Sequence, residues 1–180
     1  GGRFQNAGWY ALSCDGVKVT GSVFLRGNFE ANGGVRLLGA AIGANLDCIG
    51  GHFACCRPAE NDNIRCAPAL DLQGATIHGV LLFRQPDTKV EGSINLSHAY
   101  VRVLADDAET WPPETVKNAE TGDNLSCHII IDGFTYERLG GNAPTDAKMR
   151  QAWLERQPPE YLAQDFRPQP FEQVVKVLRE

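Results

Sequence analysis

The residues best suited to chemistry in this sequence are sulfur and nitrogen donors gathered in one polar stretch. His52, Cys55, Cys56 and Cys66 fall in or beside residues 54–68, and thiolates with imidazole are the ligands zinc prefers. Their spacing lacks the paired C-x-x-C knuckle of structural zinc sites, so free thiols are the leading reading. A Cys66 disulfide to Cys55 or Cys56 comes next, and these four as metal ligands come last. Cys14 and Cys48 stand where a repeated phrase wants an apolar residue and read as small core hydrophobes, with Cys127 grouped beside them.

Carboxylates are the second candidate set. General acid–base cleavage of a polysaccharide needs two of them about 5–10 Å apart in a cleft. Asp47 and Asp71 hold equivalent outward positions in the repeat, and Asp106-Asp107 lies where the repeat breaks. Outward strand positions are polar in any case, so a solvated face is the favoured account. His52, His78, His98 and His128 are scattered; His78 and His98 flank turns and could stack across neighbouring repeats. Trp111 and Trp153 could form a sugar-stacking pair, but Trp153 reads as a helix anchor and Trp111 as a pin for an acidic loop. No residue is assigned a catalytic role. No G-x-G-x-x-G opens a helix after a strand, so no cofactor is expected.

These residues must be positioned by a repeat. The segments Gly21–Phe29, Gly33–Ile42, Asn45–Phe53, Ala69–Ile77, Gly79–Leu82 and Gly92–Val101 share the template G-x-Φ-x-Φ-x-G-A-x-Φ, with Φ apolar. Val23/Leu25, Val35/Leu37, Leu70/Leu72 and Ile94/Leu96 are spaced by two, which puts each pair on one side of a strand. Strands this short are unstable as hairpins and call for stacking. The fold expected is mainly β: a right-handed parallel β-helix (solenoid) of roughly 20–24 residues per coil, with a C-terminal two-helix module. A short-stranded sandwich is the alternative. The solenoid would span residues 1–136 with loop insertions at 54–68 and 105–124, and a helical cap would span 137–180.

In that cap, Asp146, Met149, Ala152 and Trp153 carry a helical period that Pro158-Pro159 ends. Pro168-Gln169-Pro170 opens a second helix with Phe171, Val174, Val175 and Leu178 on one face. Helices over the last strands would blunt an edge otherwise open to other chains.

Composition narrows the partners. Apolar residues make up 43% of 180, and the net charge is -5 without a basic stripe, which argues against nucleic acid. Residues up to Leu104 carry nine basic and eight acidic groups, against eight and fourteen beyond it. No apolar run reaches the ~18–20 residues of a membrane span, and no export signal opens the chain. The sequence begins Gly1-Gly2 without Met, and its last helical pattern runs into Glu180. A longer native polypeptide is the expectation.

Several phrases resemble a bacterial family of pentapeptide-repeat-like, membrane-associated proteins of unknown function, some labelled oxidoreductases. They are Val35–Gly43, Leu46-Asp47-Cys48, Ala105-Asp106-Asp107, Trp111-Pro112, Asp132–Tyr136, Trp153–Pro158, Pro168–Val175 and Val177-Leu178-Arg179. The resemblance covers nearly the whole chain and is most specific in its C-terminal phrases. It implies a β-solenoid domain attached to a membrane protein through segments outside this sequence, and it supplies no catalytic residues. The 54–68 insertion departs from the repeat, and the oxidoreductase label finds no motif here. The function expected is a non-enzymatic interaction or scaffold domain, on the cytoplasmic side, with a protein partner or a second copy of itself. A polysaccharide-acting enzyme and a thiol or metal module in the insertion are the alternatives.

Overall fold

The computed structural model describes residues 1–179; Glu180, where the last helical pattern ends, lies outside the described residues. The chain is mainly β, with two seven-stranded parallel sheets, a four-stranded sheet and a few short helices. The first sheet runs in the order Lys89–Glu91, His52–Ala54, Glu30–Arg36, Pro68–Asp71, Ser93–Asn95 and Ile129–Ile130, with Arg3–Ser13 joined to Glu30–Arg36. The second runs Thr135–Leu139, Tyr100–Asp106, Thr76–Phe83, Ala41–Ile42 and Lys18–Val19. Within it Leu46–Asp47 links Thr76–Phe83 to Val23–Phe24.

The expected right-handed parallel β-helix is corrected by this arrangement. Several parallel sheets form, one curled into a half-barrel, and their strands pair with partners distant in sequence. One apolar row shows why a uniform coil fails. Leu12 pairs with Val35, Val35 with Leu70, Leu70 with Ile94 and Ile94 with Ile129, steps of 23, 35, 24 and 35 residues. The two long steps contain the insertions. Strand Glu30–Arg36 also meets three others, Arg3–Ser13, His52–Ala54 and Pro68–Asp71, so it belongs to no single column. Spacing by two identifies a strand and its inward face, but it carries no information about the strand's partner.

The inward faces follow the apolar pattern. Val35, Leu37, Leu70, Leu72, Ile94 and Leu96 are all buried. Between strands the chain turns through left-handed residues at Gly16, Gly39, Gly74 and Gly133, conformations a Cβ disfavours. His98 occupies the equivalent turn at φ 56° and packs against Gly133. Each turn N–H reaches the next turn's carbonyl: Gly39 to Gln73 and Gly74 to Ser97 at 2.8 Å, and His98 to Asp132 at 2.9 Å.

The C-terminal region is also corrected, from two helices to three. They are α1 (Ala147–Leu154), α2 (Pro159–Leu162) and α3 (Gln169–Arg179). Asp146 caps α1, its carboxylate accepting from Lys148 N at 3.0 Å and Met149 N at 3.1 Å. Pro159 begins α2 instead of merely stopping α1, because a first helical position needs no N–H. The buried side of α1 is Arg150, Trp153 and Leu154, while Met149 is exposed; on α3 Val174 is buried and Val175 exposed.

Side-chain amides of α3 stand in for a missing strand. Gln169 Oε1 accepts from Gly133 N at 2.9 Å, and its Nε2 donates to Phe134 O at 3.0 Å. Gln173 Nε2 donates to Tyr136 O at 2.6 Å. Backbone groups that would template another chain are thereby satisfied. The first sheet ends similarly, with Ile129 N donating to Arg156 O at 3.0 Å.

A buried ion pair fastens this module to the sheets. Arg150, wholly buried, donates to both oxygens of Asp106 at 2.7 and 2.9 Å, and its Nε donates to Pro144 O at 2.7 Å. Trp111 Nε1 donates to the same carboxylate at 3.1 Å. Removing one partner strands the other charge without solvent, a change that typically costs about 3–5 kcal/mol. Arg150→Met is therefore expected to lower unfolding free energy by roughly that amount in urea titrations, with Asp106→Leu in the same chain recovering part of it. A loss under about 1 kcal/mol would show that the pair behaves like a surface contact.

Candidate functional site

The two insertions, expected as loops, fold into strands and meet. Pro58–Ala59 and Asp62–Cys66 form one hairpin around Asn61, whose φ is 61°. Thr115–Lys117 and Asn124–Ser126 form another, after a short 3-10 turn at Ala108–Thr110. The hairpins join in parallel at Arg65 and Ser126, giving the four-stranded sheet. Its apolar side is a small separate cluster of Cys66, Leu125 and Cys127, with Val116 packed against it.

Where this sheet approaches α2 there is a pocket of about 230 Å³, with Asp62, Arg65, Cys66, Ser93, His128 and Tyr161 among its lining residues. Arg65 organises it. Its guanidinium grips Glu160 of α2 through two parallel hydrogen bonds at 2.5 and 2.6 Å, and its Nε lies 3.2 Å from Asp62. Arg65 holds the Glu160 carboxyl below its ordinary value. Asp62 is held low chiefly by the backbone N–H groups of Ile64 at 2.9 Å and Arg65 at 3.1 Å. His128 is pushed the other way from a charged state: burial, and then the Arg65 cation, lower its affinity for a proton. Ser93 Oγ ties the floor together, donating to Cys66 O at 2.8 Å and accepting from His128 N at 3.1 Å.

This constellation was invisible in the sequence, because Arg65, His128 and Glu160 come from three segments. Of its lining, residue type and spacing single out only Cys66 and His128.

The other named residues resolve differently. His52 lies on a strand with its Nε2 3.5 Å from Glu91, a contact short of a hydrogen bond. Cys55 packs in the main core, whereas Cys66 belongs to the small cluster. Cys56 is half-buried, and no three or more His, Cys, Asp or Glu are gathered for a metal ion among the described residues. All six cysteines are free thiols, and burial pushes Cys55 and Cys56 up to about 11. Cys48 is buried in the core as expected, but Cys127 sits with Cys66 instead.

Asp47 and Asp71 are not on a solvated face. They are 5% and 6% exposed, and each accepts a hydrogen bond from the N–H two residues on, Ile49 at 3.1 Å and Gln73 at 3.2 Å. Such bonds hold turns. Asp47 also takes Arg26 at 2.9 Å, and burial raises the Asp71 carboxyl. They stand on different sheets. Asp106 neutralises Arg150, and Asp107 accepts from Gln85 N at 2.9 Å. His78 meets Tyr100 edge-on at 6.4 Å rather than His98. Trp111 and Trp153 do come together, 6.4 Å apart, but Trp153 is buried and its ring faces the core.

Searches against protein-family models, curated proteins and solved structures found no match to this chain.

The pocket makes a pH prediction. Arg65, Arg156 and Glu160 surround His128, whose folded-state value lies below its ordinary 6.5. Between those two values the unfolded chain binds more protons, so stability is complete above about pH 6.5 and declines as pH falls through the window. The Asp62 and Glu160 contributions fade only near and below their ordinary 3.8 and 4.5. His128→Gln should therefore flatten the fall in urea midpoint between pH 7 and about pH 5. Parallel wild-type and variant profiles would contradict this account.

Proposed function

We propose that this chain is a non-enzymatic interaction or scaffold domain of a larger, membrane-attached bacterial protein. The observation that supports it best is the contrast between the two ends of the sheets. One end is closed by α3. At the other, the strands Lys18–Val19 and Val23–Phe24 are edge strands with one neighbour each among the described residues. Beside them opens a groove of about 750 Å³ lined by Phe4, Leu12, Phe24, Leu25, Phe29 and Arg26. Phe24 is 59% exposed and Phe4, on the strand Arg3–Ser13, 36%.

Free edge backbone beside apolar pockets is what strand addition by an extended peptide requires. Cations lie over the exposed rings, Arg26 over Phe24 at 4.7 Å and Arg57 over Trp9 at 4.9 Å, which keeps aromatic faces presentable in water. Attachment to a bacterial membrane through segments outside this sequence, with this domain on the cytoplasmic side, is supported by the resemblance of the glycine-rich and C-terminal phrases. No helix among the described residues is long and apolar enough to cross a membrane. The enzyme alternative loses its carboxylates to turns and ion pairs.

The test uses the native full-length gene product. It should sediment with membranes and resist high-salt extraction. A photoreactive side chain at position 24 should cross-link one discrete partner, with Phe4→Ser reducing the yield several-fold and leaving the circular dichroism unchanged. A freely soluble product, or no cross-link from position 24 at any expression level, would overturn the reading.

A further inference from the structure

The four-stranded sheet brings together two cysteines that are far apart in the chain. Arg65 and Ser126 pair in parallel, so Cys66, at the end of its strand, and Cys127, one residue past the end of Asn124–Ser126, stand side by side. Neighbouring strands lie about 4.8 Å apart, inside the Cα separation of roughly 4.4–6.8 Å that a disulfide spans. Both side chains are buried in the same small cluster, at 3% and 2% exposure. Cys66 Sγ donates to Cys55 O at 2.8 Å, while the Cys55 side chain packs into the main core, so backbone rather than thiol faces Cys66 there.

We infer that Cys66 and Cys127 are a dithiol oxidation site, closed to a disulfide by a small-molecule disulfide such as oxidised glutathione. Cys66 lines the 230 Å³ pocket and is the point of entry. Its thiolate attacks one sulfur of the small disulfide, forming a mixed disulfide and releasing one small thiolate that takes up a proton. The Cys127 thiolate then attacks the Cys66 sulfur, forming the protein disulfide and releasing the second small thiol. Two protein thiols are oxidised and one small disulfide is reduced to two thiols, with the two sulfhydryl protons carried by the products.

The bond would staple a thin seam. Among the described residues Arg65 and Ser126 are the one bridged pair between the hairpins, supported by Ser126 Oγ donating to Ile64 O at 3.2 Å and Ala119 N donating to Cys56 O at 2.9 Å. A cross-link over so long a loop restricts the unfolded chain strongly. The adjoining Cys127 thiol, and then burial, hold the Cys66 thiol protonated, so closure should be slow at neutral pH and accelerate about tenfold per pH unit from 7 to 9.

The experiment is to incubate the full chain with oxidised glutathione, quench with acid and map the unreduced digest by mass spectrometry. The expected result is a Cys66–Cys127 peptide lighter by two hydrogens, with a thermal midpoint several degrees higher that dithiothreitol reverses. Cys127→Ala should instead accumulate a glutathione adduct on Cys66. Because the wild-type map needs no variant, misfolding of Cys127→Ala leaves the test intact. A Cys55–Cys66 or Cys56–Cys66 link, a lasting adduct at Cys56 alone, or no oxidation at pH 9 would each overturn the inference.

Discussion

The pairing of Arg150 with Asp106 governs how the two halves of the molecule fit. Asp106 ends a long strand of the second sheet, and Arg150 belongs to the first helix after the last strand. An arginine without water is tolerated only when its fork is met by a carboxylate in register. Both donors of the fork, the third donor to Pro144 and the Trp111 indole converge on this point. The cation also lies over Trp153, 5.3 Å from the ring, and Trp153 packs against Trp111. Helix position, the acidic turn after Asp106 and the end of the core are therefore set together.

That fastening determines which sheet edges are exposed. With α1 held, α3 lies along Thr135–Leu139, and Gln169 and Gln173 present amides at strand-like positions. A glutamine amide carries one acceptor and two donors, so it can replace a peptide group without continuing the sheet. The opposite end has no such cover among the described residues, and aromatic side chains remain in solvent there. The asymmetry between a closed end and an open one directs recognition to the open one.

The insertions show how polar segments acquire structure from each other. Neither hairpin carries enough apolar surface to fold alone. Joined, they enclose Cys66, Leu125 and Cys127 and create the pocket in which Arg65 reaches Glu160. The polar, proline-punctuated composition of 54–68 predicts a loop. Parallel pairing with a distant hairpin supplied the hydrogen bonds that local composition did not suggest.

Legibility in the sequence tracked the range of the interaction. Strands with inward faces at Val35/Leu37, Leu70/Leu72 and Ile94/Leu96, the Asp146 cap and the proline that opens the last helix all depend on residues within a few positions, and local spacing revealed them. Partner choice depends on contacts tens of residues apart. A strand of given pattern buries the same face against any neighbour of similar pattern, so the unequal steps of the Leu12–Ile129 row, the third helix and the small sheet escaped. Asp47 and Asp71 were read as solvated because their alternation is polar, yet their acceptors were needed by turn N–H groups. What the sequence by itself determined is a mainly β chain with apolar inward faces and a helical C-terminus. Tertiary structure alone decided which strands meet, which charges are buried together and which thiols lie side by side, because those follow from long-range packing that no local pattern encodes.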